Sequence, residues 1–164
     1  MKKTISIFLL SLSVVICSAQ ESFNEQVVSK NDMAQKIATF LTFQKNDAEE
    51  AMNFYVSLFE NAKIIDIERW GAEGPAKEGT IMQAVFEING HRFMVSDSPP
   101  IHNWDFTPAV SIYMECENQA EIERLFSKLS ENGDVAMPLN SYGFSQKFAW
   151  IIDRFGVSWQ LNLK

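Results

Sequence analysis

The sequence predicts an α+β fold built from two βαβββ modules in tandem. Two capping-box-like helix starts predict it, Asn46-Asp47-Ala48-Glu49 and Asn118-Gln119-Ala120-Glu121, which lie 72 residues apart. Apolar residues at helical spacing follow each start. One strand-like run precedes each helix and three follow it, so a single order of elements occurs twice.

The chain opens with a segment that reads as a leader rather than as fold. Met1-Lys2-Lys3 is basic, Ile5 to Ile16 is apolar but too short to span a bilayer, and Cys17-Ser18-Ala19 puts small residues before a cleavage point. We expect residues 1–19 to be a signal peptide and the protein to be exported, periplasmic or extracellular. A lipoprotein reading on Cys17 is weaker, because bulky Ile16 stands where a small residue belongs. Cleavage leaves 145 of 164 residues, the size of one domain, and removing Lys2 and Lys3 takes the net charge from −7 to −9. That balance disfavours nucleic acid and, for the mature form, a membrane. Cys116 becomes the lone cysteine, so no intrachain disulfide forms. The fold must rest on its core, for which thirteen Phe and four Trp are available.

Residues 20–35 are polar without a sustained period and read as a leader arm. The folded domain is expected over 36–164. Module one covers about 36–97. Ile37 to Phe43 reads as a strand, and Ala48, Ala51, Met52, Tyr55, Leu58 and Phe59 give one apolar helix face. Lys63 to Trp70 and Thr80 to Ile88 read as strands around a Gly- and Pro-containing loop. Asn89-Gly90 then signals a two-residue hairpin into His91 to Ser96.

Module two covers about 107–163. Pro108 to Cys116 is strand-like, and Ile122, Leu125, Phe126 and Leu129 form the second apolar stripe. Gly133 to Met137 reads as a short strand and Pro138 to Ser145 as a loop. Lys147 to Ile152 and Val157 to Leu163 form a hairpin around Asp153-Arg154-Phe155-Gly156. Alternation sorts the faces. Val157, Trp159 and Leu161 should pack on a helix, with Ser158, Gln160 and Asn162 opposite. Val110, Ile112, Met114 and Cys116 should face the second helix, with Ala109, Ser111 and Tyr113 opposite. Cys116 then reads as a small buried hydrophobe rather than a nucleophile.

Several stretches carry a resemblance. They are Phe40-Leu41-Thr42-Phe43, the helix Ala48 to Tyr55, and Phe86-Glu87-Ile88-Asn89-Gly90. Tyr142 to Phe148 and Asp153 to Gln160 are the most specific. With the module order, they make the chain resemble the PhnB-like branch of the vicinal oxygen chelate (VOC) superfamily, whose domain carries the name 3-demethylubiquinone-9 3-methyltransferase. The resemblance implies a glyoxalase/bleomycin resistance-type curved half-barrel from each module, a cavity between paired modules, and a homodimer.

Metal-dependent members of that superfamily hold a divalent ion on inward strand faces. Carried over, their ligand positions fall near Ala38 or Thr39, near Ser96, near Ser111 and on Gln160. Only Gln160 is a usual ligand, and serine hydroxyls are weak neutral donors. His91 follows a hairpin turn and His102 lies in a loop, and both read as solvated. Asp97 with Glu115 is the remaining acidic pair, although Asp97 reads as a strand end. We therefore expect no metal and no cofactor. The expected cavity lining is Phe40, Thr42, Ser96, Ser111, Tyr113, Trp150 and Gln160. It is mostly apolar, with no obvious general base, and suits a small, partly aromatic ligand. Gln160 either orients that ligand or satisfies a neighbour such as Ser111 or Ser96. Trp70, Trp104 and Tyr142 lie near loops that border such a cavity. Nothing in the residues supports methyl transfer, since no glycine-rich turn leads into the first helix.

Three functions stay open. The first is a metal-free binding protein. The second is a glyoxalase- or dioxygenase-type enzyme with a metal. The third is an interaction module whose cavity is filled by Phe40 and Trp150.

Overall fold

The computed structural model describes residues 37–164. The expected signal peptide and polar arm lie outside these residues. All the elements belong to one compact unit, Thr39–Lys164. They run β1 (Thr39–Phe43), α1 (Ala48–Ser57), β2 (Ala62–Arg69), β3 (Ile81–Ile88), β4 (His91–Asp97), β5 (Ile112–Glu115), α2 (Gln119–Leu129), β6 (Asp134–Tyr142), β7 (Ser145–Ile152) and β8 (Ser158–Leu163). This is βαβββ twice. The strands form two four-stranded sheets, β1-β4-β3-β2 and β5-β8-β7-β6. In each, the first strand pairs in parallel with the last and the other pairings are antiparallel. Each sheet is an open, curved half-barrel of the glyoxalase type.

Each helix covers one face of its own sheet. Ala48, Ala51, Met52 and Tyr55 of α1 are buried, as are Ile122, Leu125 and Leu129 of α2. They pack on the alternate strand residues Leu41, Phe43, Phe93 and Val95, and on Ala149, Ile151, Trp159 and Leu161. Strand period two and helix period 3.6 thus meet in one core. Asn89-Gly90 forms the expected tight turn, with φ of 48° and 79°, as its pairing of Ile88 with His91 requires.

Four expectations are corrected. The first is the start of α1. Asn46 does not cap it: its φ is +60°, and Asp47 sits at the N-cap without a side-chain bond. The free helix amide of Ala48 donates instead to Asp97 Oδ1 (3.0 Å). The second start behaves as expected, with Asn118 Oδ1 accepting from Glu121 N (3.0 Å). Second, strand β5 begins at Ile112 rather than Pro108, so Val110 is exposed and does not face α2. Third, Pro138 to Tyr142 continues β6 rather than forming a loop. A proline is tolerated there because β6 is an edge strand. Fourth, β1 starts at Thr39, two residues later than expected.

Two buried carboxylates tie the unit together. Asp97 accepts from Ala48 N and, through Oδ2, from Ile81 N (2.9 Å), joining the start of α1 to the start of β3. Asp153 Oδ1 accepts from Phe155 N (2.9 Å) and Val157 N (3.0 Å), which closes the last turn. Its Oδ2 accepts from Tyr55 Oη–H (2.7 Å) and Trp159 Nε1–H (2.9 Å), binding α1 of module one to β8 of module two. Burial raises the Asp153 carboxyl above its ordinary value, against the opposing pull of these four donors.

Candidate functional site: a cavity where the modules meet

A cavity of about 620 Å³ opens where β1 and β4 of module one approach β5 and β8 of module two. That is a volume suited to a small organic ligand. Module one contributes Phe40, Leu41, Phe59, Ile88 and Phe93 as apolar wall, with Thr39, Asn89 and His91 as polar points. The segment before β5 contributes Asp105, Phe106, Thr107 and Val110. Strands β5 and β8 add Ile112, Met114 and Trp159, with Tyr113 and Ser158 as hydroxyls, and Ser111 adds a third from just before β5.

The residues singled out from sequence divide into three groups. Phe40, Ser111 and Tyr113 line the cavity. Gln160 and Trp150 do not line it but are bonded to residues that do. Gln160 Nε2 donates to Ser111 Oγ (3.3 Å), and Trp150 Nε1–H donates to Ser158 Oγ (2.8 Å). The two hydroxyls, Ser111 and Ser158, lie 2.7 Å apart, so the four side chains form one chain of hydrogen bonds. Register explains it: Tyr113, Gln160 and Trp150 are directly opposite one another across β5, β8 and β7. Thr42 and Ser96 pair with each other across β1 and β4, away from the cavity lining. Ser96 Oγ–H donates to the Asp97 carbonyl (3.3 Å). Of the bordering aromatics, none lines the cavity. Trp70 donates through Nε1–H to the Asp97 carbonyl (3.2 Å), Trp104 stacks on His102, and Tyr142 stacks on Phe144.

His91 is exposed, as sequence reasoning expected, and it also lines the cavity, with Nε2 3.0 Å from Thr39 Oγ1 and its ring edge-on to Phe93. Ser158, Phe106 and Asp105 were missed as lining residues. The pairing of Ser158 with the indole of Trp150 depends on a two-strand register that no local pattern specifies.

The Tyr113 phenol has its pKa raised above the ordinary value, by partial desolvation first and by the Glu115 carboxylate next. Cys116 lies behind β5, buried, its thiol pushed up to about 12 by desolvation first and by Glu121 next. Such a thiol is a poor nucleophile.

The donor chemistry does not fit a divalent ion. At the positions to which the resemblance carries the superfamily's ligands stand Ala38 or Thr39, whose hydroxyl is bonded to His91, the engaged hydroxyls of Ser96 and Ser111, and one amide, Gln160, which donates to Ser111. Asp97 is spent on two backbone amides, and Glu115 on Asn162 (2.9 Å) and Lys164 (3.2 Å). Among the described residues no three His, Cys, Asp or Glu side chains converge.

A family model described as 3-demethylubiquinone-9 3-methyltransferase matches residues 35–162. A solved structure of a PhnB protein from Bacillus cereus, described by the same enzyme name, is 53% identical over 79% of this chain and all of that one, with TM-score 0.76. A Pseudomonas aeruginosa protein is 29% identical over 80% of this chain and 98% of that one, with TM-score 0.71. A B. cereus protein described as a possible glyoxalase shares only 12% identity over 78% of this chain and 99% of that one, with TM-score 0.50, and shows the fold alone. No curated protein matches. The chain belongs to the PhnB-like family, named for 3-demethylubiquinone-9 3-methyltransferase, within the VOC superfamily.

Proposed function

We propose that the protein is an exported, metal-free binding protein that holds a small, partly aromatic molecule in the cavity between its modules. The observation that carries this reading is the lining. Phenylalanine, tryptophan and aliphatic walls surround a few hydroxyls, with Asn89, His91 and Asp105 as further polar points, and the strand positions to which the resemblance carries metal ligands hold neutral groups. An apolar wall supplies affinity through burial, and the hydroxyls orient.

Dimerisation is part of the proposal. Strand β2 is exposed along almost its whole length, with Ile64, Ile65 and Ile67 on the surface, and Phe40 and Tyr113 are half-exposed beside the cavity. A second copy is the occupant that would cover this apolar area.

Native mass spectrometry of protein exported by a bacterial host and purified without chelator tests the reading. The expected mass is two chains, each starting after Ala19, without a divalent ion. One divalent ion per chain would overturn the metal-free reading and favour a glyoxalase-type enzyme. A chain retaining residues 1–19 would overturn export, and a monomer would overturn the dimer.

A further inference from the structure

Either serine could donate in the 2.7 Å Ser111–Ser158 bond, and satisfying every group in the hydrogen-bond chain beside the cavity selects one direction. Ser158 Oγ accepts the indole N–H of Trp150, so its own hydrogen needs an acceptor, and Ser111 Oγ stands 2.7 Å away. Ser111 Oγ also accepts from Gln160 Nε2 (3.3 Å). With Ser158 as the donor, two donors meet the Ser111 oxygen and its own hydrogen is directed elsewhere. Its alternative within the chain is the Pro108 carbonyl, at a long 3.5 Å. Ser111 lines the cavity, so its O–H is presented to whatever enters.

Charge narrows the ligand further. Neither lysine nor arginine lines the cavity, and the carboxylate there is Asp105. Its partner Lys45 is exposed and 3.6 Å away, outside the lining. Through Asn89 and Met114 the cavity adjoins a second hollow, whose ionisable lining is Glu60, Glu87, Glu115, Glu117, Glu121 and Lys63. The field in and around the cavity is therefore negative. Tyr113 adds a neutral phenol rather than a phenolate.

Building on the binding reading above, we infer that the cavity selects an uncharged aromatic molecule bearing a hydrogen-bond acceptor, typically a carbonyl. Ser111 is its donor anchor, and aromatic carboxylates, sulfonates and phosphates are rejected. Gln160, Trp150 and Ser158 act through Ser111 as positioning residues and do not themselves bond the ligand.

The test uses two probes on one ring system. The first is 6-propionyl-2-dimethylaminonaphthalene, uncharged, whose emission shifts to the red when its ketone accepts a hydrogen bond. The second is 6-(dimethylamino)-2-naphthoate, its carboxylate counterpart. With the full mature chain at pH 8 and low salt, the ketone should bind at least about tenfold more tightly, and salt should narrow the gap. Asp105→Asn should also narrow it, whereas Glu131→Gln, which lines neither hollow, should not. Ser111→Ala should weaken the ketone about fivefold and shift its emission to the blue. Ser111→Thr, which keeps the hydroxyl, should recover both. Equal or tighter carboxylate binding would overturn the charge selection while leaving the cavity as a binding site. Unchanged affinity and emission in Ser111→Ala, with an unchanged melting curve, would overturn the anchor. If neither probe binds, the binding reading fails and this inference falls with it.

Discussion

The two modules share a topology and differ in chemistry. Strand for strand they superpose in order, β1-β4-β3-β2 on β5-β8-β7-β6. On the face turned away from the helix, module one aligns Phe40, Met94 and Val85 across three strands. At the matching places module two aligns Tyr113, Gln160 and Trp150. One row is wholly apolar, whereas each member of the other carries a polar atom. The helix-facing rows, by contrast, are apolar in both modules. The repeat therefore conserves what the fold needs, and the polar atoms sit where packing leaves freedom. Both modules supply apolar wall and polar points to the cavity, and the hydrogen-bonded hydroxyl pair lies in module two.

Each module also has one buried carboxylate, and the two do unequal work. Asp97 serves two backbone amides within module one, and Asp153 serves four donors drawn from both. Removing Asp153 should break the unit most severely. Asp153→Ala would strand the Tyr55 hydroxyl, the Trp159 indole and two amides in the core, at a cost of about 3–5 kcal/mol in urea unfolding. Asp97→Ala strands two amides and should cost less, about 2–4 kcal/mol. Equal losses would contradict the view that Asp153 joins the modules.

The raised pKa of Asp153 gives this difference a pH signature. Its native carboxyl holds its proton more tightly than the unfolded one, whose ordinary value is 3.8. Its contribution is complete below that value and is lost as pH rises through the raised native one. The stability gap between the wild type and Asp153→Asn should therefore widen as pH falls through that window. A gap that narrows would mean the four donors outweigh burial.

Smaller effects sharpen the contrast between the modules. Gln160→Ala loses one long hydrogen bond to Ser111 at a part-exposed position and should cost about 1 kcal/mol or less. It should nonetheless weaken ligand binding, whereas a loss of several kcal/mol would make Gln160 a structural residue. The smallest effect concerns Cys116. In the native protein it should resist a thiol reagent at pH 8, as read by peptide mass spectrometry, and react once urea unfolds the chain.

Much of this was legible in the sequence because it was local. The Asn89-Gly90 turn, the two apolar helix faces and the Asn118 cap each follow from residues within one or two turns of each other. Errors arose where distant groups intervened. Asn46 looked like a cap, but Asp97, about fifty residues on, supplies the acceptor. Pro138 looked like a loop signal, because being at a sheet edge is a property of the sheet and not of the strand. The candidate site divided the same way. Alternation put Ser111, Tyr113 and Gln160 on one face, but His91 and Phe106 reach the cavity only because the modules pack together.

The most direct measurement is equilibrium dialysis of the uncharged naphthyl ketone against the mature protein, with and without EDTA. The account predicts one probe bound per chain with the same affinity in both buffers. Binding that disappears with EDTA and returns with a divalent ion would contradict it, and would place a metal in the cavity.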